Sequence, residues 1–142
     1  MKTSVDLHQL VECVGDAIIV SDANEKIVLW NPSATRIFGY AEEEVLGQTL
    51  DLIVPERQRQ RHSEGYSKSM ASGTTRYGTS LLKVPAKHKD GSTLSIAFTV
   101  GMLFDENHQA NGVVAIIRDE TARFVEERAL KKRIADLENP PA

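Results

Sequence analysis

The apolar positions of the chain change period several times, and each change marks an element. From Ser4 to Val14, the residues Val5, Leu7, Leu10, Val11 and Val14 fall at helical spacing and predict a short leading helix. The next stretch, GDAIIVSDANEKIVLWN, carries two β-rich runs on either side of the polar, turn-forming DANEK, the pattern of a β-hairpin. Asn31 then precedes Pro32, a capping residue followed by one suited to the first helical position. Gly39 and Gly47 punctuate two short helices. Pro55 opens a run that contains no β-branched residue up to Ser72 and stops at Gly73, so it reads as one helix. Its apolar content is thin: Tyr66, Met70 and Ala71.

After Gly73 the pattern returns to strands. RYGTSLLKVPAKHKDGSTLSIAFTVGMLF divides into two strands with Asp90-Gly91 as the turn. DENHQA is a polar loop, and NGVVAIIRDE is a third strand, apolar enough to be central. TARFVEERALKKRIADLE is a charged outgoing helix, and NPPA reads as a disordered tail. Two strands, a helical segment and three more strands give an α+β class: one antiparallel sheet with helices on one face. A sheet under a helical cover encloses a concave space where a ligand can sit.

Composition narrows the picture by exclusion. A chain of 142 residues with 41% hydrophobic and 26% charged side chains can bury one core without a disulfide or metal staple. Its net charge of −3 gives no basic face for nucleic acid. No apolar run approaches the roughly 20 residues of a membrane span, and MKTSVDLHQL lacks a signal-peptide core, so a cytoplasmic location is expected. Cys13 is the single cysteine, which excludes an internal disulfide; its apolar surroundings suggest a buried, inert thiol. Phosphate-binding glycine motifs, a nucleophile elbow and an H-E-x-x-H pair are all missing, so an enzyme is not expected. Glu42, Glu43 and Glu44 suit a helix start, and His8, His88 and His108 read as surface histidines.

Residues 10 to 123 resemble the PAS (S-box) sensory family. The resemblance is carried by WN at the end of the second strand, by FGY followed by EEE and LG, by the KDG turn and by RDET closing the last strand. It implies a five-stranded antiparallel sheet with small helices on one face. Two ligand classes of that family can be compared. Flavin-binding light sensors carry a reactive cysteine in NCRFLQ, where this chain has NPSATRIF, which argues against flavin photochemistry. FixL-type heme-binding members place their proximal histidine seven residues after a proline and eleven before a glycine; Pro55, His62 and Gly73 keep that spacing. The resemblance therefore implies heme b with His62 as its iron ligand. It places Met70 at a position where that group has methionine, and Lys68 and Arg76 where it has propionate partners. Leu82, Phe98 and Val100 would line the distal side. Leu82 also stands where that group carries a distal arginine, and leucine donates nothing to bound oxygen, so the resemblance implies carbon monoxide or nitric oxide rather than a stable oxygen complex.

The expected organisation is a flanking helix over 1–14, a sensory domain over 15–120, a signalling helix over 121–138 and the tail at 139–142. Asp119 is expected to cap the outgoing helix, whose Leu130, Ile134 and Leu137 have coiled-coil spacing. The apolar stripes of the two flanking helices suggest a homodimer, and the family resemblance a downstream effector. The alternative is a PAS module that binds no cofactor, or a small metabolite, and acts in dimerisation and protein interaction.

Overall fold

The structure, a computed structural model, describes residues 4–139. The tail expected at 139–142 falls, beyond Asn139, outside the described residues. The elements are α1 (Leu7–Cys13), β1 (Ala17–Asp22), β2 (Ile27–Trp30), α2 (Pro32–Phe38), α3 (Glu42–Val45), α4 (Arg59–Ser72), β3 (Leu82–Lys87), β4 (Thr93–Phe104), β5 (Ala110–Asp119) and α5 (Thr121–Glu138), with short 3₁₀ turns at Leu50–Leu52 and Glu56–Gln58. The five strands form one antiparallel sheet in the order β2-β1-β5-β4-β3, as the α+β reading expects.

Register sorts the inner face into rows that run across the sheet. Ala17, Ile117, Phe98 and Leu82 make one row, Trp30, Ile19, Ala115 and Val100 the next, and Ile27, Ser21, Val113 and Met102 a third. Successive rows are two residues, roughly 7 Å, apart along the strands. α2 covers this face with Ala34, Ile37 and Phe38, all buried, and the Trp30 ring meets Phe38 at 5.7 Å and Tyr40 at 6.5 Å. Val45, Ile53, Ala86, Leu94 and Ile96 complete the core.

Local chemistry explains the boundaries. Asn31 Oδ1 accepts from Ala34 N, and Gly39 ends α2 at φ +86°. Asp6 caps α1, which is shorter than the expected run. The helix expected from Pro55 is delayed, because Pro55 is extended at ψ 138° and the next three residues form a 3₁₀ turn. At the far end Glu120, not Asp119, is the cap of α5; Asp119 Oδ1 accepts instead from Thr121 N. Cys13 is exposed, contrary to the buried thiol expected, because α1 buries none of its residues.

Candidate functional site

α4 is a polar helix that touches the sheet through one face. His62, Tyr66 and Met70 follow at intervals of four and so lie on the same side. Tyr66 is the one buried residue of α4. Its hydroxyl lies 2.7 Å from Ser21 Oγ and 2.6 Å from the Asp22 carbonyl, which fastens the helix over the third row of the sheet. Burial, the largest influence, pushes the Tyr66 phenol up to about 12. One turn earlier, His62 Nδ1 lies 2.9 Å from Glu25 Oε1, and Ser63 Oγ donates to Glu25 Oε2 at 3.0 Å. Glu25 sits in the β1–β2 turn at φ +66°, where Asp22 Oδ1 accepts from Asn24 N and Lys26 N. That left-handed conformation is costly for a residue other than glycine and marks a constrained position.

The remaining candidates divide into two groups. Leu82 and Phe98 are directly opposed in the β3–β4 ladder, and Val100 follows one row on. All three are half-buried on the face that α4 covers, as is Met70. Lys68 and Arg76 are exposed and make no ion pair among the described residues. Arg76 donates to Tyr77 Oη at 2.9 Å and lies over its ring at 5.0 Å. The structure thus gathers the apolar wall and places His62 and Met70 on one side of α4, but the polar partner of His62 is Glu25, not a wall residue. The sequence pattern did not assign Glu25, Ser63 or Tyr66 to the site. Tyr66, the lone aromatic of a polar helix and one turn beyond His62, was the available signal.

These side chains suit an iron porphyrin as donors. A metal-bound histidine commonly gives its second ring nitrogen to a carboxylate, which orients the ring and raises its basicity. Glu25 supplies that carboxylate at Nδ1, and His62 Nε2 has no hydrogen-bond partner among the described residues. No cluster of three or more His, Cys, Asp or Glu occurs among the described residues; one axial imidazole suffices when a macrocycle holds the iron. Two open grooves lie elsewhere. One, of about 620 Å³, is lined by Pro55, Glu56, Arg57, Pro85 and Thr93. The other, of about 310 Å³, lies beside Trp30, Pro32 and Glu42.

Comparison with known proteins agrees with the architecture. An uncharacterised protein of Azorhizobium caulinodans is 33% identical over 121 residues, which is 82% of this chain and 16% of that protein. The sensor protein FixL of Bradyrhizobium diazoefficiens is 30% identical over 95 residues, 67% of this chain and 19% of FixL. The oxygen sensor protein DosP of Escherichia coli is 23% identical over 123 residues, 87% and 15% of the two chains. The chain spans less than a fifth of the length of these relatives. Among solved structures, a PAS domain from Colwellia psychrerythraea superposes with a TM-score of 0.71 at 25% identity, covering 82% of this chain and 95% of that one. An RNA-binding light-oxygen-voltage receptor gives the same TM-score at 19% identity, covering 91% and 36%, and so shares the fold. The family model for the PAS fold matches residues 6–119, and the chain belongs to that family.

Proposed function

We propose that this PAS sensory domain, a signalling module by family, holds heme b through His62 and reports a diatomic gas or redox state to its flanking helices. The observation that carries the reading is the His62–Glu25 contact, which engages Nδ1 and leaves Nε2 free. When bound, heme b supplies an iron whose distal position is open to a gas. Glu25 orients the imidazole, with Ser63 holding the other carboxylate oxygen. Lys68 and Arg76 offer cations for the propionates. Leu82, Phe98 and Val100 keep water from the distal side and donate no hydrogen bond, which favours carbon monoxide or nitric oxide over oxygen. DosP, named an oxygen sensor, and FixL, named a sensor, support the class of function. The sensory core is taken as 15–120, flanked by 1–14 and 121–138, with a regulatory rather than catalytic role. No described helix is long and apolar enough to cross a membrane, and we place the chain in the cytoplasm beside a downstream effector.

Hemin titration of the purified protein is the test. A sharp Soret band shifted from that of free hemin, which His62→Ala abolishes and added imidazole restores, supports the reading; a spectrum that stays that of free hemin at one equivalent sinks it. A second reading, a cofactor-free or metabolite-binding interaction module, draws on a specific observation: Tyr66 closes α4 on β1. A colourless protein that self-associates through its flanking helices would favour it.

A further inference from the structure

The root of α1 is held by side chains of another helix. Asn31 Nδ2 donates to Val11 O at 2.9 Å and to Asp16 O at 3.1 Å. Ser33 Oγ donates to Val14 O at 2.6 Å, and Arg36 Nη2 to Gly15 O at 2.7 Å. The last carbonyls of a helix have no partner of their own; here Asn31 meets that of Val11, and the other bonds hold the Val14, Gly15 and Asp16 carbonyls just past the helix. Asp16, inside this bracket, accepts from Arg118 Nε and Nη2, both at 3.2 Å. The pair extends the β1–β5 ladder one step beyond Ala17↔Ile117. Arg118 in turn lies near the root of α5, where Glu120 N donates to Ser95 O at 2.8 Å and Ser95 N to Thr121 Oγ1 at 3.0 Å. Neither α1 nor α5 buries a residue, so packing along their lengths does not orient them. Their directions are set at their roots.

We propose that the Asp16–Arg118 pair is a joint that fixes the leading helix relative to the outgoing one, so that displacement of either is passed to the other across the end of the β1–β5 ladder without passing through the site under α4. Two parallel N–H···O bonds fix direction as well as distance. Arg118 is largely exposed, at 66% of its side chain, and such a pair adds little to global stability. Its contribution is geometric, and its loss should loosen the helices while the fold persists. The device stands independently of what His62 binds.

Pulsed electron-spin distance measurement on the full chain tests the joint. Labels are placed at His8→Cys and Ala129→Cys, in a Cys13→Ser background that removes the natural thiol. Labelled protein is diluted with unlabelled protein so that only distances within one chain are read. The parent should give one narrow distance. Asp16→Asn and Arg118→Gln should each lose that narrow peak with an unchanged melting temperature, and the reversed pair Asp16→Arg with Arg118→Asp should restore it. Arg118→Lys, which keeps the charge but not the fork, should broaden the peak by less than Arg118→Gln. A broad distribution in the parent, a narrow peak retained in both single variants, or a broadening that the reversed pair does not restore would each overturn the proposal.

Discussion

Tyr66 decides where α4 lies. It is the helix's one buried residue, and its hydroxyl lies within hydrogen-bond reach of two oxygens on β1, Ser21 Oγ and the Asp22 carbonyl. Tyr66→Phe keeps the ring but leaves the buried Ser21 hydroxyl without this partner, while the Asp22 carbonyl still accepts from Glu25 N; the cost of an unmet buried polar group is about 1–3 kcal/mol. Urea denaturation at neutral pH should show that loss with little change in slope. The phenol also sets an alkaline limit. Its folded value is raised to about 12 from 10.0, so the folded state keeps its proton longer than the unfolded one. The stabilisation is whole below pH 10 and is lost as pH rises towards 12; Tyr66→Phe should remove that part of the alkaline decline. At the other wall, Leu82 faces Phe98 and offers no donor. On the heme reading, Leu82→Arg adds one, and the oxygen off-rate measured by flash photolysis should fall. An unchanged off-rate would show that Leu82 does not meet the bound gas.

The connection between elements is tightest where α2 meets the β3–β4 turn. Gly39 closes α2 at φ +86°, and a Cβ there would lie 2.5 Å from His88 Cε1. His88, expected at the surface, is only 25% exposed in its side chain because the turn is pressed onto α2. Lys89 N donates to Phe38 O at 2.9 Å, and Lys89 Nζ reaches Glu44 Oε1 at 2.6 Å. Gly39→Ala should therefore cost about 1–3 kcal/mol, from a strained backbone and a displaced imidazole ring, and thermal melting measures it. The same docking predicts acid sensitivity. Lys89 beside Glu44, and Ser92 beside Asp90, hold those carboxyls below their ordinary values. A depressed folded value means that the unfolded state binds more protons in acid. The contribution is present above the ordinary carboxylate range and fades as pH falls below it. Both groups are exposed, so the effect is small, and Asp90→Asn with Glu44→Gln should flatten the acid side of the stability profile. Most of these elements were legible in the sequence, since period changes and the turn residues at Gly39, Gly47, Gly73 and Gly91 are local signals. The polar side of the site was not. Glu25 meets His62 from 37 residues away, and α4 has a weak apolar stripe because one tyrosine anchors it. The 3₁₀ start after Pro55 and the exposed Cys13 were missed for a related reason: apolar spacing predicts a helix but not which face, or whether any face, is buried.

At the scale of the whole molecule, the flanking helices carry apolar surface that nothing among the described residues covers. Leu7 is 71% exposed on α1, and Leu130, Ile134 and Leu137 are 54%, 54% and 74% exposed on α5. α1 does not fold back on the sheet; its root packs beside α2 through Asn31 and Ser33. Such surface on an isolated monomer is unfavourable in water, and a two-fold dimer would bury it. The two helices can be distinguished by point charges. Truncating residues 1–14 would confuse the result, because Asn31 and Ser33 would lose the Val11 and Val14 carbonyls as well as a partner surface. Leu7→Glu with Leu10→Glu changes only solvent-facing side chains of α1, and Leu130→Glu with Ile134→Glu does the same on α5. Light scattering at tens of micromolar should give the mass of two chains for the parent. If α1 forms the interface, the first pair lowers the mass to one chain and the second leaves it at two; the reverse assigns the interface to α5. Loss of the dimer in both variants would mean that the helices pack together as one surface. A parent of single-chain mass would reject the dimer outright.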